Sequence, residues 1–496
     1  MPLPTAVSRS NRLTRDGDFT VRKKGLGAFT DLHKVRKLPR RLLGVPLVLL
    51  PLLLGGARPW FWSVVAGLFI LGLAWSIGSR RELYRNESIS KKWLVALGLL
   101  LVYPIVQSVP LTSQLIRHLS PHIILWKTMA EDVALAPSGF FSISYSPLVS
   151  FFSALWWVFL AAYALLFREV IREGRSLNWF YNLLFWIVGF EALYGLLQTL
   201  NPSLGVLWES AGQGVARGTF VNRNHYAAFL GMLWPVLLTY MLSAKTAFSN
   251  TTSASHSDLE KKKSKGQKNW FLGFIIGLVL LGLFFSQSRA GIIGALIALT
   301  VIVAFGKRWR KKGMVGLLVG CWLVMFAYGS IMGFQDILSR FDILGKDAPG
   351  RLEIWEDTWR LIQDHWLTGT GLGTFAEAIR VYQSHLTDKF DIVHAHNDYL
   401  ELAGELGVPV AATMVILVWG YWWACARELL RKSGMGVQAR GERAAAEAER
   451  KENRRLLALG ALAGGAAFLW HSWVDFNWQI PANQLYFIVL LVLMKE

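Results

Sequence analysis

A chain of 496 residues that is 53% hydrophobic, with 23 tryptophans and a mean hydropathy of +0.36, carries more apolar surface than one soluble domain can bury. That excludes an ordinary soluble protein and leaves a polytopic membrane protein. The net charge of +19 would suggest nucleic acid in a soluble chain, but 40 of the 52 lysines and arginines fall on alternate inter-span segments, the positive-inside pattern of a protein with both termini in the cytoplasm. Orienting the chain is the plainer task of this charge, with anionic membrane lipid as a further contact and no nucleic acid expected.

Residues 1–41 form a basic cytoplasmic tail running from Arg9 to Arg41. It is too long for the start of a signal peptide, although Gly55 to Ala57 resembles a cleavage site, so the first span is expected to stay on the chain. Twelve hydrophobic segments follow, near 42–56, 60–78, 93–109, 147–167, 179–200, 225–243, 270–286, 290–305, 313–333, 406–426, 456–474 and 482–494. Residues 42–178 hold four of them and read as a scaffold; residues 179–496 hold the others and most of the chemistry. The expected fold is an all-α integral membrane protein of about twelve transmembrane helices. Cys321 and Cys425 lie inside predicted spans and offer no disulfide framework.

The external loop 110–146, with Pro110, Pro121 and Pro137, is expected to be an irregular cover with no chemistry of its own. Glu191, in WIVGFEALYGLL, is an acid at span depth, where insertion costs ~2.5–3.5 kcal/mol unless a cavity or partner receives it. An arginine partner is expected. The segment ARGTFVNRNHYAAFL, residues 216–230, places Arg217 and Arg223 around Asn222 at the start of the sixth span. Guanidinium groups bind phosphate bidentately and a helix start adds N–H donors, so this is a candidate anion site, with plain interface anchoring as the alternative. Residues 244–269, rich in Ser, Thr and Lys, are expected to be disordered. SQSRAG, residues 286–291, is so tight a hairpin that Arg289 must stand at the external membrane edge, as an anchor or as a ligand contact.

The longest external loop, 334–405, contains an amphipathic helix in which Leu352, Trp355, Trp359 and Ile362 recur at helical spacing opposite Glu353, Glu356 and Asp357. It is expected to lie along the membrane surface, with Arg351 at its start joining the basic rim. TGTGLGTF, residues 368–375, superficially looks like a phosphate loop, but no strand precedes it and no Lys-Ser/Thr follows, so tight turns suffice. The loop closes in DIVHAHNDYLELAGELGVPV, residues 391–410. Capping explains Asn397 and Asp398, and the helix dipole favours Glu401; neither asks for a histidine pair, so His394 and His396 read as functional. Residues 427–455 read as a solvated helix, and in HSWVDFNWQIPAN, residues 471–483, His471 and Asp475 are expected to share a helix face and a hydrogen bond.

If the topology holds, Arg217, Arg223, Arg289 and Arg351 converge on one membrane face beside a histidine, which suits a lipid-linked diphosphate. Glycosyl transfer from an undecaprenyl-diphosphate carrier fits such a rim: fixed guanidinium groups stabilise the leaving group, and an imidazole takes the proton of an acceptor hydroxyl. His396, directly before the helix, is the candidate base. His394, in the loop and freer to face solvent, joins Asn222 and the arginines in substrate binding, with Asp398, Glu191, His471 and Asp475 supporting. A metal held by His394, His396 and Asp398 is an alternative that helix geometry disfavours, since alternate positions face apart. A carrier or flippase of lipid-linked sugars is the alternative from another class, but it needs a midplane site. No cofactor is expected.

GTFVNRNHYAAFL, SQSRAG, the Gly350-Arg351 helix with Trp355, HAHNDYLELAGELG and HSWVDFNWQIPAN resemble, in order, the recurring segments of the O-antigen ligase and polymerase family over roughly residues 180–490. The resemblance implies a GT-C-like, metal-independent, inverting glycosyltransferase of the bacterial inner membrane. It would take a glycan from an undecaprenyl-diphosphate carrier on the periplasmic side to a lipid A core or another glycan acceptor. The family's His-Asn pair and the glycine that follows it map onto His396, Asn397 and Gly407, and its arginines onto Arg217 or Arg223 and onto Arg289. Val410 stands where the family pattern has a small or aromatic residue. Ligase and polymerase remain equally open.

Overall fold

The structure, a computed structural model, describes residues 37–79, 91–124, 139–172, 174–208, 214–246, 256–306, 316, 319, 320, 323, 350–384, 390–432 and 442–495. The basic tail before Lys37, Cys321, most of the predicted ninth span and loop residues 334–349 lie outside the described residues. The remaining eleven hydrophobic segments each coincide with a helix: α1 (Lys37–Leu52), α2 (Pro59–Ser79), α3 (Lys91–Ser108), then, after a short α4 (Ser113–Leu119), α5 (Pro147–Ile171), α6 (Gly174–Leu200), α7 (Arg223–Thr246), α8 (His256–Phe285) and α9 (Arg289–Phe305). Beyond the long loop, which holds α10 (Arg351–Asp364), α11 (Phe375–Ala378) and α12 (Asp398–Leu406), come α13 (Val408–Lys432), α14 (Glu442–His471) and α15 (Pro481–Leu493). Among the described residues four helices are long and apolar enough to cross a membrane, Pro147–Ile171, Ser176–Leu200, Arg223–Ser243 and Val408–Arg431, with shorter apolar helices between them. The protein is a mostly helical membrane protein.

Two helices form its centre. α7 is the most buried of the four spans, and α14 lies against it on a stripe of small residues. A Cβ on Gly460 would strike Thr239 and Pro235 of α7, and one on Gly464 would strike the Met232 carbonyl, so the two backbones meet as closely as glycine permits. α9 closes on the same pair, since Gly291 faces Ala227 and Gly294 faces the backbone of Ala467. Pro235 interrupts the hydrogen bonding of α7, and Thr239 Oγ1 donates to the Pro235 carbonyl at 3.0 Å. α14 runs unbroken from the charged segment into the apolar one, so the expected solvated helix and the eleventh span are one element. α8 begins at His256, inside the stretch expected to be disordered.

Over one end of the bundle sits an outer layer with its own apolar core, made of Ile116, Phe141 and Tyr145 from the loop after α3 and of Ile354, Leu361, Phe375 and Ile392 from the long loop. The cover loop is pinned by a two-residue antiparallel pairing, β1 (Leu111–Thr112) with β2 (Phe140–Phe141). α10 is helical as expected, but it is rotated from the expected face: Ile354, Asp357, Thr358 and Leu361 are buried, while Leu352 and Trp359 are half exposed. Asp357 tolerates burial because its carboxylate accepts the Ser384 N–H at 3.2 Å and lies 3.6 Å from Arg360. In TGTGLGTF, Gly369, Gly371 and Gly373 all have positive φ, and a Cβ on any of them would meet Glu405, Ser144 or Ser153. The loop is a buried seam: Thr370 and Gly371 donate to the carbonyls of Gly404 and Glu405, and the Thr370 carbonyl accepts Tyr145 N–H.

Candidate active site

The starts of α7, α9 and α15 and the end of α14 meet beneath the outer layer. Asn483 Nδ2 in α15 donates to the His225 carbonyl in α7 at 3.2 Å, and α9 begins with Ser288 capping the Gly291 N–H. In the turn between α14 and α15, the Phe476 ring is surrounded by three imidazoles. His394 stacks on it with centroids 4.1 Å apart, while His225 and His396 approach edge-on at 4.5 and 4.9 Å.

Each loop histidine is held by a buried carboxylate. His396 Nδ1 lies 3.3 Å from Asp475 Oδ1, and His394 Nδ1 lies 2.8 Å from Glu401 Oε1. Glu401 Oε2 also accepts the Ala395 N–H at 2.8 Å, and the Ala395 carbonyl accepts Trp355 Nε1–H from α10 at 2.9 Å. The two histidines are thus the ends of one clamped tripeptide. His396 itself has φ +52°, a left-handed conformation that costs about 1–3 kcal/mol and persists only where its surroundings enforce it. Asn397 caps α12 as expected, accepting from Tyr399 and Leu400 N–H.

Asp475 is the electrostatic centre. Burial alone would raise its pKa, but the His396 hydrogen bond, the neighbouring His225 and His471, and Arg351 together hold its carboxyl well below the usual carboxylate range. Arg351 Nη2 lies 3.7 Å from Asp475 Oδ2 and is itself 40% exposed, leaving its other donors open to a ligand. Burial has the opposite outcome at Asp398, pushing it well above the usual range despite the Trp478 N–H that its Oδ2 accepts at 2.9 Å. Two carboxyls of one rim are therefore pushed in opposite directions, Asp475 down and Asp398 up.

The sequence-predicted residues divide accordingly. His394, His396, Asp398, Arg351, His471 and Asp475 come together. Two expectations about them are corrected, and the disfavoured metal alternative gains no geometry. α14 ends at His471, so Asp475 lies in the turn and bonds His396 rather than His471. His394 is not the freer imidazole: with its side chain 26% exposed against 33% for His396, it is both stacked and ion-paired. The alternation that suggested a metal is turned three ways, onto Glu401, Asp475 and Trp478.

Asn222 and Arg223 open α7 two residues before His225, with Asn222 Oδ1 accepting the Asn224 N–H. Arg289 is exposed at the start of α9. Arg217 sits in the preceding loop, tied through its backbone N–H to Gln198 Oε1 at 3.0 Å. Glu191 belongs elsewhere: it is buried among α6 and the 214–222 loop, and Thr219, not an arginine, serves both its oxygens, through N–H at 2.9 Å and Oγ1 at 2.6 Å. A backbone amide and a hydroxyl give both carboxyl oxygens a hydrogen bond without supplying an opposite charge. Sequence reasoning missed Phe476, and it did not see Glu401 as a histidine partner. The only signal for Phe476 was its place beside Asp475.

These elements define a helical membrane protein with a histidine–carboxylate–arginine centre at one end of its bundle. Residues 274–427 match the family model described as O-antigen ligase. The matched stretch contains Arg289, Arg351, His394, His396 and Asp398, whereas Arg217, Arg223 and Asp475 lie outside it. At family level it carries O-antigen ligase-like glycan transfer, with a lipid-linked glycan and an acceptor as partners. No curated protein matches the chain.

Proposed function

We propose that the chain transfers a glycan from an undecaprenyl-diphosphate carrier to an acceptor hydroxyl at the periplasmic face of the bacterial inner membrane. In this reading it has twelve spans, a GT-C-like scaffold and both termini in the cytoplasm. The observation that carries the proposal is the contact chain His396–Asp475–Arg351, which joins a base, its orienting carboxylate and a phosphate-binding cation.

His396 donates its Nδ1–H to ionised Asp475, which leaves the Nε2 lone pair to accept the acceptor's hydroxyl proton. The acceptor oxygen attacks the anomeric carbon from the face opposite the diphosphate, and the carbon–oxygen bond to the carrier breaks with its electron pair leaving on the diphosphate. Inversion follows from this single displacement. Arg351, with Arg217, Arg223 and Arg289, binds the diphosphate and stabilises its growing charge without a metal. Asp475 steadies the imidazolium that forms and stays ionised throughout. Ligase chemistry, with a lipid A core or another terminal glycan as acceptor, is the preferred assignment.

The test is reconstitution: purified protein given a lipid-diphosphate glycan and an acceptor releases free undecaprenyl diphosphate as product forms. Donor binding with no release would make the chain a carrier and overturn the proposal.

A further inference from the structure

Glu191, Gly195 and Gln198 lie on one face of α6, at spacings of four and three residues. All three meet the backbone of the loop that carries Arg217. Gln198, only 3% exposed, uses its carboxamide oxygen and both of its N–H groups: Oε1 accepts the Arg217 N–H at 3.0 Å, and Nε2 donates to the carbonyls of Gly218, at 2.8 Å, and Gly205, at 2.5 Å. One side chain thus grips the backbone on either side of the Arg217–Gly218 peptide. Two turns earlier, Glu191 accepts the Thr219 N–H and hydroxyl. Gly195, between them, has room for no side chain, since a Cβ there would stand 2.4 Å from the Tyr226 hydroxyl and 3.2 Å from the Gly218 nitrogen. Gly218 answers it with φ +55°, and its own Cβ would strike Glu191 Oε2. The loop is seated on α6 glycine to glycine and locked on both sides.

What this seat presents is Arg217. Its backbone is held while its guanidinium is not: Nη1 lies 3.5 Å from the Val221 carbonyl, at the limit of a hydrogen bond, and the Nε–H has no hydrogen bond. Among the described residues no carboxylate pairs with it, whereas Arg351 is paired with Asp475. Glu191, close enough to touch a Cβ on the neighbouring Gly218, is turned onto Thr219 instead. Polar side chains at span depth are rare and mark function, and here two of them fix the root of a cation while leaving its charge uncompensated. Such a guanidinium is built for an anion from outside the chain, and a fixed root leaves less freedom to lose when the anion binds.

We propose that Gln198 is a positioning residue for Arg217, with Glu191 and Gly195 completing the seat, so that the shape α6 imposes on this loop sets the affinity for the anionic end of the substrate. The proposal rests on the proposed binding of the diphosphate by Arg217 and adds which residues hold that arginine in place. Without the clasp Arg217 is still present but displaced.

The experiment is a double-mutant cycle on the full-length protein, read by binding rather than turnover: undecaprenyl diphosphate is titrated into purified protein in detergent and followed by thermophoresis. Gln198→Leu is similar in size and removes all three hydrogen bonds. It should weaken binding about tenfold, whereas in an Arg217→Ala background the same substitution should change binding by less than about twofold. Gln198→Glu, which keeps an acceptor for the Arg217 N–H and loses both donors, replaces the leucine variant if that one does not fold. An equal loss in both backgrounds would show a general effect on the fold and would overturn the proposal. So would wild-type affinity in Gln198→Leu where Arg217→Ala binds weakly. Wild-type affinity in Arg217→Ala would remove Arg217 from the diphosphate site and take the proposal with it. A protein that passes this cycle but transfers nothing loses the proposed reaction and keeps the clasp.

Discussion

The α7–α14 pair and the outer layer lie against each other and are held by different forces. The pair is joined by the close approach of Gly460 to Thr239 and the backbone of Pro235 and Val236, and of Gly464 to the Met232 carbonyl. The layer is held by buried polar groups: Gln107 Nε2 and Trp355 reach across long sequence distances, to the carbonyls of Thr368 and Glu405 and to that of Ala395, while Glu401 clamps nearby His394 and Ala395. In the membrane there is no water to drive helices together, so close packing must do it. At the rim, directional hydrogen bonds set a geometry to within a few tenths of an ångström, which is what acid–base chemistry needs. Breaking the first should cost folding, and breaking the second should cost chemistry.

The largest effect is expected at His396. His396→Ala should lower transfer by ~10²–10⁴, the usual worth of a general base, while the protein still inserts and still binds donor. Retained transfer in this variant together with loss in His394→Ala would move the base role to His394, which Glu401 orients equally well. Retention in both would leave catalysis to the arginines. On the other side of the comparison, Gly464→Val should leave the site's residues intact and fail in assembly. The added carbons meet the Met232 carbonyl, and overpacking of this kind costs typically about 1–3 kcal/mol. Size-exclusion profiles in detergent and thermal inactivation would show it. A variant as stable as the wild type would mean that α7 and α14 can part without penalty.

A smaller effect belongs to Glu401→Gln. The amide keeps one acceptor oxygen, so either the Ala395 N–H or His394 Nδ1–H loses its partner, at about 1–3 kcal/mol. Transfer should fall by roughly tenfold to a hundredfold with folding preserved. Wild-type rates with an unchanged pH profile would show that the tripeptide keeps its shape without the clamp.

This division explains what could be read from the sequence. Helices buried in an apolar medium announce themselves by composition, and eleven of the predicted segments are helices, while Asn397 announced its cap. The glycines of TGTGLGTF announced turns. The direction in which α10 faces was misread because Asp357, polar in any periodicity count, is buried by partners that periodicity does not contain. Glu191 was given an arginine because charge suggests charge, and the fold supplied Thr219 instead. His396 and Asp475 are 79 positions apart, and the ring of Phe476 meets His394 and His396 from the long loop and His225 from the start of α7, farther still along the chain. No local pattern encodes them.

The mildest prediction tests whether the outer layer is separable from the bundle. His365, at the end of α10, is buried against Ser120 and Tyr145 of the cover loop and against Tyr382, whose hydroxyl also donates to Asp364 Oδ2 at 3.0 Å. His122 lies 3.3 Å from the same carboxylate. Burial, with the neighbouring His122, pushes the His365 pKa down to about 4 from 6.5, and Asp364 only partly opposes this. The packed layer therefore refuses a proton that the opened layer accepts. Its stability is full above pH 6.5 and is lost progressively as pH falls from 6.5 toward 4. Hydrogen exchange of residues 139–146 and 375–382, corrected for intrinsic rates, should be faster at pH 5 than at pH 7, with the α7–α14 amides unaffected. His365→Asn should reduce that pH difference, leaving only what His122 and Asp364 contribute beside it. Protection that is independent of pH in the wild type would show that His365 is not what fastens the cover loop to the layer, and acceleration that spread into α7 and α14 would show that layer and bundle open as one unit.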